Sequence, residues 1–316
     1  MTGTFATIGR ERAEAECPVR DCFSRDADRI VHSKAFRRLM YKTQVFLCPE
    51  GDHYRTRLTH AIEVSRIART MARALGLCES LTEAVALGHD VGHAPFGHAG
   101  ESALNEIMPE GFTHNAQGKR IMECVENGGA GRNLCPETLD GILCHSGGAK
   151  PATQEGALVH LADRIAYINH DMDDARRAGI LSDEELPPRL RAVLGEGYTK
   201  RIDTMVKDVV AFGRANGRVG MGGEVGGATD ELRAFMFERV YLNPTAKAEE
   251  RKVGDMIRRL YEHYVNEPDA LPPECRFFIE RDGARRAACD YVAGMTDRFC
   301  AEKAQDLFFP KGWSKH

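Results

Sequence analysis

In HAIEVSRIARTMARALGL (60–77) the apolar residues Val64, Ile67, Ala68, Met71 and Leu75 return at spacings of three and four, and the arginines fall on the other faces. That period matches an amphipathic α-helix and is incompatible with a half-buried strand, which needs alternation. It recurs along the chain. SLTEAVALGHD carries a second apolar stripe, with Ser80 or Thr82 expected as its N-cap, and QEGALVHLADRIAYINHDMDDA is nearly continuous in apolar residues, as a buried helix would be. DELRAFMFERVY places Leu232, Phe235 and Met236 on one face, and VGDMIRRLYEHYV does the same with Met256, Ile257, Leu260 and Tyr264. Period-two segments are scarce, so the expected fold is all-α. One stretch breaks the pattern: RANGRVGMGGEVGGATD (214–230) is glycine-rich with no apolar period and reads as a loop or short extended insert between helices.

With 316 residues, 42% of them hydrophobic, the chain can bury a large core. A net charge of −4 supplies no basic field that would make nucleic acid or an anionic membrane the main partner. Ten cysteines, without any C-x-x-C pair, read as reduced and packed thiols rather than a disulfide frame. No long uncharged apolar run is present and the first residues carry no apolar leader core, so a soluble, cytoplasmic protein is expected, with no membrane partner.

The stretch GHDVGHAPFGHAGE (88–101) gathers three histidines, an aspartate and a glutamate among four glycines and a proline. His89 and Asp90 stand at the end of an apolar helix. Neighbouring helical residues point about 100° apart, so both reach one ion only at a helix end or kink, which Gly92 and Pro95 supply. Imidazole and carboxylate together suit a divalent cation, and two ligands are too few. His60 lies on the preceding amphipathic helix, whose antiparallel return would bring it beside His89. Asp163 interrupts an otherwise apolar helix, where an unpaired carboxylate would be costly and a metal would remove the cost.

This H…HD…D pattern resembles the signature of HD-domain metal-dependent phosphohydrolases. Around it, RDADRIVHSKAFRRLMYKTQVF, DHYRTRLTHAIEVSRIAR, HDVGHAPFGHAGE, FTHNAQGKRI, ADRIAYINHD, LRAFMFERVY and CDYVAGMTDRF occur in the order seen in deoxyguanosinetriphosphate triphosphohydrolase-like proteins. The resemblance runs from about Arg20 to Phe309. It implies hydrolysis of a deoxynucleoside triphosphate at its α-phosphorus, releasing deoxynucleoside and intact triphosphate. It implies metal ligands at His60, His89, Asp90 and Asp163, and a catalytic histidine and acid at His98 and Glu101. His93 and His114 become neighbours of the triphosphate or of the proton path, and Gln44, Arg57, Arg164, Tyr167 and Asp171 fall where related enzymes hold substrate. Lys42 joins the cations expected to offset the triphosphate charge. The organisation implied is an N-terminal helical segment (1–56) contributing to the substrate site, an HD metal-binding core (57–180) and a C-terminal helical region (181–316) packed with it, in a homo-oligomer.

Spacing agrees with several of these roles. Asp163, Tyr167 and Asp171 recur at i, i+4 and i+8 on one helix face, Arg57 stands one turn before His60, and His98 and Glu101 share a face if a helix restarts after Pro95. Ligand type leaves Mg²⁺, Mn²⁺, Fe²⁺, Co²⁺ and Ni²⁺ open. Histidines lying between the HD pair and the last Asp complete a two-metal site in other HD phosphohydrolases; His114 and His145 are in that interval, which leaves a second ion open, although a packed His145 is the favoured reading. His160 and His170 read as structural, with His170 pointing away from Asp171, while His32 and His53 fit the surface and the substrate entrance equally well. Cys144 reads as an inert buried thiol, and Tyr41, Tyr54, Tyr241 and Tyr291 as core or interface residues. The basic run HSKAFRRLMYK is at least as well read as a solvated helix face as a phosphate contact; weak single-stranded DNA binding and a dNTP allosteric effector stay open there. The alternatives in function are another HD activity (a 5′-nucleotidase or a cyclic-nucleotide or alarmone hydrolase) and a nucleotide-sensing module without catalysis. Base preference is not readable.

Overall fold

A computed structural model of the chain describes residues 1–44, 54–242 and 244–311, without the side chains of 183 and 244–248. His53 lies outside the described residues. In chain order the α-helices are α1 Cys22–Val31, α2 Lys34–Arg38, α3 Arg57–Leu75, α4 Glu79–Gly88, α5 Gly97–Ile107, α6 His114–Arg120, α7 Pro136–Cys144 and α8 Gln154–Arg177. They continue with α9 Pro188–Leu194, α10 Tyr198–Asn216, α11 Gly223–Met236, α12 Pro244–Asn266, α13 Arg276–Asp282, α14 Ala284–Ala293 and α15 Asp297–Phe308. Among the described residues there is no strand, only an isolated antiparallel bridge between Thr43 and Thr56. The fold is all-α.

Local chemistry sets the ends of the helices that matter most. Thr56 caps α3 through a reciprocal capping box with Thr59, and Gly76 ends it at φ +68°, a left-handed turn open to glycine. α3, α4 and α8 pack on one another and on α1, α7 and α10. Val64, Ala68 and Met71 meet Leu81 and Val85 of α4 and Leu158, Ile165 and Met172 of α8, all fully buried. Each such large aliphatic side chain contributes about 1.5–3 kcal/mol on leaving water. A second cluster is formed by α5 and α12–α15, with Leu104, Ile257, Leu260, Phe278, Val292 and Cys300 inside it. A third cluster includes Ala61, Leu87 and Val91, which flank His60, His89 and Asp90 in the chain.

The first residues run extended across the outside of the bundle. Thr4 N–H donates to Glu155 Oε1 at 2.8 Å, Ile8 N–H to Glu137 Oε1 at 2.7 Å, and Arg10 pairs with the buried Asp26 at 2.6 Å. The strap therefore ties the starts of α7 and α8 together.

Three local expectations change. Residues 223–230 of the glycine-rich stretch are helical, forming the first half of α11; only 217–222 connect. Ala228, Thr229 and Leu232 are fully buried against the first cluster, so tertiary packing overrides weak helix propensity. α4 starts at Glu79 with Cys78 at the cap position, not at Ser80 or Thr82; Thr82 Oγ1 instead donates back to the Cys78 carbonyl at 2.8 Å. α5 does restart after Pro95, but two residues on, with Phe96 as its cap.

Candidate metal centre and acid–base site

α4 ends at Gly88, with His89 as its C-cap still at helical φ −58° and ψ −39° and Asp90 in the turn that follows. His60 Nε2 lies 3.0 Å from Asp163 Oδ1, His89 Nε2 is 3.8 Å from the same oxygen, and His89 Nε2 is 3.4 Å from Asp90 Oδ1. His60, His89 and Asp90 each offer a ligand atom within 4.8 Å of the others. The tautomer at His89 follows from its partner. Its Nδ1 sits 2.6 Å from the Ala86 carbonyl, which can only accept, so Nδ1 carries the proton and Nε2 turns a lone pair inward. Burial opposes ionisation of Asp163, but the hydrogen bond from His60 and the neighbouring His89 hold its carboxyl well below the usual range. Asp90 is likewise held ionised against burial by His89, His93 and Arg57, whose Nη1 is 3.0 Å from Oδ2. Two imidazoles and two carboxylates, three of the four deeply buried, form a donor set that fits a divalent cation.

His170 lies against this centre, beside His60. It is fully buried with its Nδ1 3.5 Å from His60 Nδ1, its ring stacked on Tyr198 and Glu63 3.4 Å away. At i, i+7 from Asp163 on α8 it returns to the side facing α3, where it backs His60.

The acid–base candidates sit on the next turn of chain. Gly92 allows the loop to lie directly on α6: a Cβ there would stand 2.0 Å from the His114 carbonyl oxygen. Phe96 is left-handed, at φ +61°, and starts α5. From α5, His98 Nδ1 approaches Glu101 Oε2 at 3.3 Å, and Glu101 Oε1 accepts from His114 N at 2.7 Å and faces its Nδ1 at 2.8 Å. Burial opposes ionisation of Glu101, but these two histidines hold its carboxyl far below the usual range. His93 is stacked on His114 with ring centroids 3.9 Å apart. The His98 side chain is 82% exposed, at the mouth of the site.

A cavity of about 610 Å³ opens on this array, lined by Gln44, Arg57, His98, Tyr167, Asp171 and Tyr241 among others. Four residues that line it carry a buried polar atom without a hydrogen-bond partner, Gln44 Oε1, Arg57 Nε, His93 Nε2 and Asp171 Oδ1, and His89 Nε2 beside Asp90 is a fifth such atom. Such atoms are costly unless something else occupies the space they face. Arg164, expected to hold substrate, is not among the residues that line the cavity and pairs with Asp230 of α11. Lys42 is not among the cavity cations. It is buried, donating to the carbonyls of His93 and Ala293, so it ties loops together.

Two residues that sequence reasoning does not nominate line the cavity. Tyr241 sits on a π-helical turn, Phe237–Tyr241, and its hydroxyl donates to Asp171 Oδ2 at 2.5 Å. Arg233 approaches Tyr167 from α11. Both fall inside LRAFMFERVY, but π geometry has no signature in an apolar pattern, and Tyr241 reads there as core. His145 is also present, buried, with its Nε2 3.1 Å from His114 Nε2. His160 is structural, its Nδ1 on the His145 carbonyl at 2.5 Å. His32 is exposed and does not line the cavity, and Cys144 is buried, which raises its thiol pKa.

Comparison with known proteins agrees with this architecture. Residues 57–168 match the HD domain and residues 219–306 the phosphohydrolase-associated domain. A deoxyguanosinetriphosphate triphosphohydrolase-like protein of Caldanaerobacter subterraneus subsp. tengcongensis is 52% identical over 305 residues, 96% of this chain and 90% of the relative. Proteins of the same description from Clostridium perfringens and Bordetella parapertussis are 46% and 39% identical, each over 96% of this chain and 92% and 94% of the relative. Among solved structures, a phosphohydrolase from Bacteroides thetaiotaomicron shares the fold with a TM-score of 0.55 at 19% identity, over 89% of this chain and 69% of that one. A hypothetical protein from Aquifex aeolicus does so with a TM-score of 0.54 at 18% identity, over 90% of this chain and 68% of that one. No described helix is long and apolar enough to cross a membrane. The chain belongs to the deoxyguanosinetriphosphate triphosphohydrolase-like family of HD-domain phosphohydrolases.

Proposed function

We propose that the protein hydrolyses deoxynucleoside triphosphates to deoxynucleoside and inorganic triphosphate, with a divalent cation held by His60, His89, Asp90 and Asp163. The observation that carries this reading is the cavity in which a cation-binding donor set, a histidine–carboxylate pair and orphaned polar atoms face one space. When bound, the cation supplies Lewis-acid polarisation of a phosphoryl oxygen and lowers the pKa of water, worth several kcal/mol in the transition state. The chain's own residues do the rest. Arg57 and Arg164 offset triphosphate charge, Arg164 exchanging Asp230 for phosphate; Arg233 is placed to join them. Asp171 Oδ1 accepts a sugar hydroxyl beside the rings of Tyr167 and Tyr241. The oxygen of water bonds to the α-phosphorus and gives up a proton to solvent, the bond from phosphorus to O5′ breaks, and O5′ takes a proton. His98 is the donor: it lines the cavity with Nδ1 on Glu101, which leaves Nε2 to deliver that proton and to take another from solvent.

A panel of four dNTPs and four NTPs, with Mg²⁺, Mn²⁺, Fe²⁺, Co²⁺ and Ni²⁺ in turn and the released phosphate species identified, tests the reading. Tripolyphosphate from dNTPs is expected. Orthophosphate from nucleoside monophosphates would make it a nucleotidase, hydrolysis confined to a cyclic nucleotide or alarmone would reassign it likewise, and binding without turnover would make it a sensing module.

One observation favours a second cation. The His145 Nδ1 faces the Ile142 carbonyl at 2.7 Å and the His114 Nδ1 faces Glu101, so two lone pairs meet at 3.1 Å beside Asp90. Burial lowers the His145 pKa to about 3, so the ring is neutral and competent to ligate. Metal analysis would return two ions per chain rather than one.

Two further outcomes follow. His170→Ala removes the support behind His60 and should weaken metal affinity about 10–100-fold in a calorimetric titration, with His60 still present. Unchanged affinity would make His170 mere packing. Asp171 is pushed up to about 6 by burial, against a lowering hydrogen bond from Tyr241. Below about pH 4 the carboxyl is neutral folded and unfolded. Between about pH 4 and 6 the unfolded chain ionises while the folded one keeps its proton, so stability falls as pH rises, and the loss is constant above that window. In metal-free protein, Asp171→Asn should therefore gain about 3 kcal/mol at pH 7.5 and almost nothing at about pH 3, by denaturant titration, while losing substrate affinity.

A further inference from the structure

The motif CDYVAGMTDRF is unused by the chemistry above, and it lies more than a hundred residues beyond the last metal ligand. Both of its carboxylates nevertheless reach back to the segments that carry the acid–base histidines. Asp290 accepts from Gln117 and Arg120 of α6, the helix that begins at His114. Asp297, buried at the first turn of α15, reaches further in. Its Oδ1 accepts the Phe96 N–H at 2.7 Å, and its Oδ2 accepts the Thr43 N–H at 2.8 Å and the Thr43 hydroxyl at 2.5 Å.

What these bonds hold is an unfavourable turn. Phe96 at φ +61° and Gly97 at φ +58° form consecutive left-handed residues, and an L side chain adopts that region only at a cost. The turn aims α5, so it decides where His98 and Glu101 point. Gly97 also lies against Arg57: a Cβ on it would stand 2.8 Å from Nη2. Thr43 in turn precedes Gln44, whose carbonyl accepts from the same Arg57 nitrogen at 3.4 Å. One carboxylate thus joins three segments, 42–44, 93–97 and 293–297, with the buried Lys42 as a second tie to His93 and Ala293.

We propose that Asp297, from the C-terminal phosphohydrolase-associated region, is a positioning residue that fixes the left-handed Phe96–Gly97 turn and, through it, the placement of His98 in the reaction. The proposal rests on the assignment of His98 as proton donor. Asp297 touches neither substrate nor cation.

Three variants of the full chain test it. Asp297→Ala removes every acceptor, Asp297→Glu keeps the charge but displaces the carboxylate, and Asp297→Asn keeps an oxygen for Phe96. In folded Asp297→Ala, kcat is expected to fall about 10–100-fold with KM within about threefold and metal content unchanged, the scale of a roughly 1 Å misplacement. Amide exchange over 93–101 should accelerate in the same variant, with or without metal. Asp297→Asn should recover most of kcat and of the exchange protection. If Asp297→Ala does not fold, Asp297→Glu carries the test with the same expected losses. A folded Ala or Glu variant with wild-type kcat and exchange, lowered only in melting temperature, would reduce Asp297 to a structural contact and overturn the proposal. Exchange protection is read without substrate: a wild-type protein that releases no tripolyphosphate defeats the proposed reaction, while accelerated exchange at 93–101 still reports whether Asp297 holds the turn.

Discussion

Replacing His98 by alanine should lower kcat about 10²–10⁴-fold while leaving metal content, KM within a few-fold and the unfolding midpoint close to wild type. Burial separates this from a folding defect. The side chain is 82% exposed and its ordered partner is Glu101, so its loss removes little packing; exposed substitutions of this kind typically change stability by within about 0.5 kcal/mol. A rate collapse with unchanged stability therefore reports proton transfer. Wild-type turnover in the variant would remove His98 from the reaction.

Asp163→Ala should act at a different step. This carboxylate is the oxygen shared by His60 at 3.0 Å and His89 at 3.8 Å, so the donor set loses its bridge between α3, α4 and α8. Metal retention after gel filtration should fall to background and kcat by at least about 10³-fold, since the polarisation contributed by a cation is worth several kcal/mol. Thermal unfolding gives a reading that does not depend on activity. A ligand that binds only the folded state stabilises it by about 2.7 kcal/mol at a hundred times its Kd, so wild type should melt higher with added divalent ion and the variant should not. Metal content equal to wild type in the variant would take Asp163 out of the donor set.

These two experiments also separate what different parts of the sequence reveal. The helical class is legible because amphipathic period depends only on local order, and Val64, Ala68 and Met71 are buried as that period requires. His89 and Asp90 can be nominated as an imidazole–carboxylate pair at a helix end, His60 from the antiparallel return of the preceding helix and Asp163 from the cost of an unpaired carboxylate in an apolar helix, and the structure brings the four side chains together. Glycine-rich 223–230 misleads for the complementary reason. Helix propensity there is poor, and the burial of Ala228, Thr229 and Leu232 that stabilises α11 comes from residues distant in sequence. Tyr241 escapes a sequence reading because a π turn shifts the helical phase by one residue, moving a core-like tyrosine onto Asp171. His170 escapes it because only the crossing of α3 and α8 decides which of its neighbours it meets.

By itself, then, the order of residues determined that the chain is helical, that it carries a histidine–aspartate donor set suited to a divalent ion, and that an imidazole and a carboxylate stand three positions apart near that set. Tertiary structure alone decided how those groups are aimed. The left-handed turn at Phe96 is held by a carboxylate 201 positions away, and Asp171 meets Tyr241 across 70. The reason is physical: composition and period act over one or two helical turns, whereas the direction of a side chain in a site is set by contacts whose partners have no fixed separation along the chain.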